Sequence, residues 1–203
     1  SRLDRPLDAL ASLNKSLGLV DNRAEDWIFR GTLQNEVEKY REALDAFDRA
    51  LALEPDNSVA LYRKGISYLA LLEYSEAISC FDQVILRDED CAGAWLRKGS
   101  ALLSIGQFEP AVDALTRSLD LRPEDPNGWY DRAVALAELK RFDDAVSSYD
   151  RAIAINSRFT NAWFDKGIAL TRLGRYGEAI PAFDSTLAID PRFTNAFYEK
   201  GLA

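Results

Sequence analysis

The stretch Ser157–Gly167, SRFTNAWFDKG, returns thirty-four residues later at Pro191–Gly201 as PRFTNAFYEKG. A chain that nearly copies itself at a fixed interval is read first as a repeat, because the interval decides the whole fold. Windows of thirty-four laid from Ala24 begin at Ala24, Ser58, Ala92, Pro126, Thr160 and Thr194, and slots are counted inside them. Slot 4 reads Trp27, Leu61, Trp95, Trp129, Trp163 and Phe197, and so holds every tryptophan. Slot 8 reads Gly31, Gly65, Gly99, Ala133, Gly167 and Gly201. Slot 20 is always alanine (Ala43, Ala77, Ala111, Ala145, Ala179), and slot 24 is bulky (Phe47, Phe81, Leu115, Tyr149, Phe183). Pro55, Pro123 and Pro191 close three windows, and no insertion disturbs the register.

Each window reads as two helices. The first is expected over roughly slots 2 to 14, and Asp125 before Pro126 marks one start as an N-cap followed by proline at the first helical position. A break is expected near Gly106 or Gly174, with the second helix running to the closing proline. Pro110 and Pro181 are expected in the first turns of second helices, where a missing N–H costs nothing. At about 100° per residue, slots 4, 7, 8 and 11 share one side of the first helix, the expected buried seam. Glycine inside a helix costs about 1 kcal/mol relative to alanine. A column of glycines therefore implies close helix contact, expected against the slot-20 alanines.

The bulk composition excludes several function classes. The 203 residues are 47% hydrophobic and 29% charged, a balance that supports a packed core. Net charge is −8, the opposite of the basic face that phosphate backbones require, so no nucleic-acid partner is expected. No apolar run reaches the roughly 18 residues of a membrane span, and no membrane insertion is expected. Two cysteines without CxxC spacing, Cys80 and Cys91, suit a reducing, cytoplasmic setting. With no histidine, HExxH sites and histidine bases are excluded from these residues. No phosphate-binding loop, G-x-G-x-x-G or G-x-S-x-G is present. Asp143 and Asp144 read as favourable charges at a helix N-terminus. No catalytic residue, metal or cofactor is expected.

The pattern resembles the tetratricopeptide repeat (TPR), carried in one window by Trp163, Gly167, Leu170, Ala179, Phe183, Thr186 and Pro191. Departures are mild. Lys64, Lys98, Arg132 and Lys166 precede the slot-8 position, and Glu89 and Ser157 replace two closing prolines. The resemblance implies an all-α fold, a right-handed α-solenoid of stacked antiparallel helix pairs (the TPR superhelix). Five units are expected at residues 24–57, 58–91, 92–125, 126–159 and 160–193. Residues 1–23 read as the second helix of a preceding unit, and residues 194–203 as the first helix of a truncated sixth. Phe197 and Leu202 would lie open at that end, so the chain is expected to be part of a longer protein or an array completed by a partner. Self-association through that end is a further possibility.

Function is expected on the opposite side of the first helices, at slots 2, 5, 6, 9 and 13, which the family fold lines up along a concave groove. Slot 5 reads Ile28, Tyr62, Leu96, Tyr130, Phe164 and Tyr198, and slot 9 adds Ile66, Val134 and Ile168. These side chains either pack on neighbouring first helices or bind a ligand, and one aromatic can do both. Asn127, Asn161 and Asn195 at slot 2 suit either helix capping or pairing with an extended peptide backbone. Slot 6 changes sign along the chain, from Arg63 and Arg97 to Asp131, Asp165 and Glu199. A lysine–asparagine clamp for a C-terminal carboxylate, known in some members, is not matched, since Ile28, Tyr62 and Ile66 stand at those places. The resemblance thus implies a non-catalytic scaffold that holds a partner's peptide or helix in the groove. The candidate residues are Tyr62, Arg63, Leu96, Arg97, Asn127, Tyr130, Asn161, Phe164, Asn195 and Tyr198. The alternative is a regulatory or substrate-selecting arm of a larger enzyme whose catalytic part lies outside these residues.

Overall fold

The computed structural model describes residues 23–203. Helices fill these residues in order: α1 (Ala24–Glu36), α2 (Tyr40–Leu53), α3 (Ser58–Ala70), α4 (Tyr74–Arg87), α5 (Ala92–Ser104), α6 (Phe108–Leu121), α7 (Pro126–Glu138), α8 (Phe142–Ile155), α9 (Thr160–Arg172), α10 (Tyr176–Ile189) and α11 (Thr194–Leu202). The chain divides into two compact units, Ser1–Ala101 and Leu102–Ala203. The helix expected over Asp8–Val20 lies outside the described residues. Second helices end two residues short of the closing prolines, at Leu53, Leu121 and Ile189. Each extended residue between helix and proline releases the chain, as the residue before a proline is disfavoured in α conformation.

The turns inside the helix hairpins all solve one problem the same way. Slot 15 is left-handed in every window: Glu38, Leu72, Gly106, Lys140 and Gly174 have φ of 60°, 61°, 75°, 61° and 72°. Only two of the five are glycine, so three non-glycine residues hold a conformation costing about 1–2 kcal/mol. Leu72 is also 68% exposed.

In the first unit α1 packs on α2, α3 on α4, and α3 also on α2. The core runs through Phe47, Leu61, Phe81 and Val84, with Tyr62 and Ile66 packed against it from the side. In the second unit α7 pairs with α8 and α9 with α10, while α7 packs on α6, α9 on α8 and α11 on α10. Its core centres on Leu115, Leu136, Tyr149, Leu170 and Phe183, all buried.

The glycine column makes room for the slot-24 rings. A Cβ on Gly31, Gly65 or Gly167 would stand 2.7, 2.8 or 2.5 Å from a ring carbon of Phe47, Phe81 or Phe183. The space freed by the missing methyl is filled by the slot-24 ring, and the slot-20 alanines are fully buried. The expected seam needs amending. Slots 8 and 11 are buried except at exposed Gly201 and half-buried Tyr68, but slots 3 and 10 (Ala60 and Ser67, Gly128 and Ala135, Ala162 and Ala169) are buried too. The reason is that α3, α7 and α9 each touch their own second helix and helices of adjoining pairs, so they need two buried flanks.

The slot-4 and slot-7 residues close the edge of that interface. The indole N–H of Trp95, Trp129 and Trp163 donates to the carbonyls of Glu89, Pro123 and Ser157 at 2.8, 2.8 and 3.0 Å. Lys98, Arg132 and Lys166 lie over these rings, and the slot-7 cations of the later windows reach back sixteen residues. Lys64, Lys98, Lys166 and Lys200 pair with Asp48, Asp82, Asp150 and Asp184 at 2.5–2.6 Å. In the one described window where this acid is Thr116, the cation is Arg132, which donates to Thr116 and to Ser148. Pro110 sits in the first turn of α6, as expected, whereas Pro181 lies inside α10.

Two stability tests follow. Leu72→Gly is expected to raise Tm, since it removes left-handed strain, and an unchanged or lower Tm would show that the turn is not strained. Gly167→Ala is expected to cost about 1–3 kcal/mol through overpacking. Combined with Phe183→Leu it should cost less than the sum of the two single changes, because the methyl and the ring compete for one space.

Candidate functional site

The inner flank of the second unit is built by three consecutive first helices, α7, α9 and α11. Their starts differ in one informative respect. At α7 the Asp125 carboxylate caps the helix, accepting from the N–H of Asn127 and Gly128 at 3.0 and 3.3 Å. At α9 and α11 the cap positions are Phe159 and Phe193, with no capping side chain. Neither asparagine nor threonine caps these helices, so the capping expectation for Asn161 and Asn195 is corrected. The phenylalanines are used for packing instead. Phe159 stacks on Tyr130 with ring centroids 4.8 Å apart, and Phe193 on Phe164 at 4.9 Å. That is what the repeated RFTNA delivers: its aromatic, the last residue of a window, covers the slot-5 aromatic of the same window.

The slot-5 rings are consequently held on two sides. Tyr130 also leans on Tyr149 at 5.9 Å, Phe164 on Phe183 at 5.9 Å, and in the first unit Tyr62 meets Phe81 edge-on at 5.7 Å. Such pairs contribute about 0.5–1.5 kcal/mol beyond area burial. Tyr62, Leu96, Tyr130 and Phe164 are half-buried, neither sealed nor free. Tyr198 is exposed, as are Arg63, Arg97, Asn127, Asn161 and Asn195.

Beside Tyr130 the flank opens into a cleft of about 410 Å³ between α7 and α9. Its floor is apolar, with Val134, Ala137, Ile168 and Ala169, and Tyr149 and Phe142 behind. Of the ten candidate residues only Tyr130 lines it. Asp165, Ala137, Glu138, Lys140 and Arg172 do so without having been among them. Asp165, Val134 and Ile168 stood at slots 6 and 9 of the inward flank, so the signal existed for them. Arg172 and Glu138 share slot 13, also on that flank; Lys140 lies in the turn, which helical arithmetic does not reach.

One group in the cleft carries an electrostatic cost. The Tyr130 hydroxyl donates to Asp165 Oδ2 at 2.7 Å. Burial pushes the Asp165 carboxyl above its usual range, and the tyrosine hydrogen bond only partly opposes this. No cation among the described residues offsets the burial. Burial, with Asp165 nearby, likewise pushes the Tyr130 hydroxyl upward, so it stays a donor at neutral pH. By contrast Cys80, buried in the first unit, is pushed up to about 11 by burial, which keeps it an unreactive thiol. Among the described residues no helix is long and apolar enough to cross a membrane.

With this geometry in place, comparison with known proteins decides the family. The tetratricopeptide repeat model matches residues 30–78, 62–126, 96–158 and 130–192. The chain belongs to the tetratricopeptide repeat family. Its fold is the all-α solenoid type of stacked helix pairs. It is similar to YrrB, described as a TPR protein with an unusual peptide-binding site: 21% identity, 93% of this chain and 97% of that one covered, TM-score 0.82. A MamA structure from Desulfovibrio magneticus RS-1 is similar at 20% identity, 85% and 98% coverage and TM-score 0.80. The C-terminal part of a TPR repeat-containing protein from Cytophaga hutchinsonii is similar at 18% identity, 91% and 74% coverage and TM-score 0.78. At these identities the likeness to solved structures is one of fold. No curated protein matches the chain. Family membership makes protein–protein interaction the general role of this TPR chain.

The carboxyl of Asp165 gives a test with a definite sign. A carboxyl whose pKa is higher folded than unfolded contributes stability at low pH that is lost as pH rises through the raised value. Asp165→Asn keeps an acceptor for Tyr130 and removes the buried charge. It is expected to be more stable than the native chain at pH 7, and no more stable below the ordinary value of 3.8. A Tm difference independent of pH would contradict the reading.

Proposed function

We propose that the chain is a non-catalytic interaction scaffold that holds a peptide or helical segment of a partner protein in the cleft between α7 and α9. The observation that supports this most is the cleft itself. It has an apolar floor, an aromatic wall fixed by Phe159 and Tyr149, and a few polar groups at its margins. Peptide grooves commonly combine these features, since burial supplies affinity and a small set of polar groups sets orientation. The exposed asparagines at Asn127, Asn161 and Asn195 offer a donor and an acceptor once per repeat, suited to an extended backbone. Rigid aromatics held before binding also reduce the ordering cost of association. YrrB, similar in fold, is described as having a peptide-binding site, which agrees with this reading.

The test is a filled cleft. Peptides selected from a random display library on the native chain are titrated by calorimetry against the native chain and against Ala137→Trp. Ala137 is half-buried and lines the cleft, so an indole there occupies the space without removing Tyr130. Affinity is expected to fall at least about ten-fold, as for loss of an interface anchor. Ile168→Glu, with native circular dichroism, serves as an independent second variant. Selected peptides that bind all three proteins equally would place the site elsewhere.

A further inference from the structure

The cleft is not electrostatically uniform. Asp165 stands at one end, beside Tyr130, while Arg172 lies seven residues on along the same helix, a backbone rise of about 10 Å at 1.5 Å per residue. Lys140, from the turn after α7, and exposed Glu138, which shares slot 13 with Arg172, complete the charged lining, so the end away from Asp165 carries two cations and one acid. The two ends differ in setting as well as sign. Asp165 is half-buried, is hydrogen-bonded by Tyr130 and has no cation offsetting its burial, whereas Lys140 and Arg172 are exposed. A carboxylate kept partly out of water with no countercharge is a standing cost, and a ligand cation would relieve it. The far end, with Lys140 and Arg172 against Glu138, keeps a net positive charge that would repel a uniformly basic ligand and attract a ligand acid.

Resting on the groove reading above, we infer that the occupant is an extended, charge-polarised peptide. It carries one lysine or arginine seated on Asp165 and an acidic group about 10 Å along, facing Arg172, with aliphatic side chains between on Val134 and Ile168. Three residues of polyproline-II chain rise about 9 Å and bring residues i and i+3 back to one face, so a basic and an acidic residue separated by two aliphatics match the spacing. Asp165 has the Tyr130 hydroxyl on Oδ2, and its Oδ1 remains to accept from the ligand cation. Charge order along the ligand would then fix which way it lies, while the apolar floor supplies affinity common to any aliphatic sequence.

Four acetylated, amidated tetrapeptides test this: Lys-Leu-Val-Glu, Glu-Leu-Val-Lys, Lys-Leu-Val-Lys and Gln-Leu-Val-Gln. Each is titrated at low salt into the ¹⁵N-labelled full chain and its Asp165→Asn, Arg172→Gln and Ala137→Trp variants. One of the two mixed-charge peptides is expected to bind about ten-fold tighter than the glutamine peptide, with shifts confined to α7 and α9. Asp165→Asn should remove most of that advantage, Arg172→Gln should narrow the gap between mixed-charge and dilysine peptides, and Ala137→Trp should weaken all four. Equal binding of all four peptides, still lost in Ala137→Trp, would overturn the charge-polarised ligand and leave the groove reading standing. Shifts outside the cleft, or no shift with any peptide at millimolar concentration, would overturn both.

Discussion

The structure depends on one fit, a slot-24 ring pressed against a helix that has no side chain where the ring arrives. At Gly167 and Phe183 even a single added carbon would come within 2.5 Å of the ring. Close packing of this kind sets how near the two helices of a pair lie, because interiors pack to crystal density and transmit volume changes. Once the pair is that tight, its apolar surface is still too large to bury alone, and neighbouring pairs must cover it. The buried flanks at slots 3 and 10 are where they do so. What remains is the inner flank, which is left available by the same packing that fills the others.

Holding that flank in shape is the task of the slot-5 aromatics. Tyr130 is clasped by Tyr149 from its own repeat and by Phe159 from the entrance to the next, and Phe164 is clasped the same way by Phe183 and Phe193. Packing and ligand capture are therefore not competing explanations of these residues. The inner face of the ring is structural, and its outer edge forms a wall of the cleft. Asp165 shows the opposite economy, since stability alone gives no reason to keep a carboxylate where burial penalises its charge. Strain of this kind is commonly concentrated at sites of function.

Most of the fold was legible because the thirty-four-residue interval places every helix before any local signal is consulted. The helix starts at Ser58, Ala92, Pro126, Thr160 and Thr194 coincide with the windows. What was illegible is instructive. The left-handed turn residue was visible only at Gly106 and Gly174, since Glu38, Leu72 and Lys140 carry no sign of positive φ. That the slot-24 ring fills the space beside the glycine column was not read from the sequence, because a period shows which columns recur and not which columns touch. The lysine–aspartate pairs sixteen residues apart needed the inter-pair packing to become visible. At the cleft, the columns marked the flank on which it opens and its Tyr130, but a column is one-dimensional. Ala137, Arg172 and Lys140 join Tyr130 only where two helices and a turn converge.

The most direct measurement is a crystal structure of the full chain with a library-selected peptide bound. The peptide is expected to lie between α7 and α9, against Val134 and Ile168, with a donor within hydrogen-bonding distance of Asp165. A peptide seated on the outer surface of the second helices, with the cleft beside Tyr130 empty, would contradict the claim that the inner flank is the binding surface.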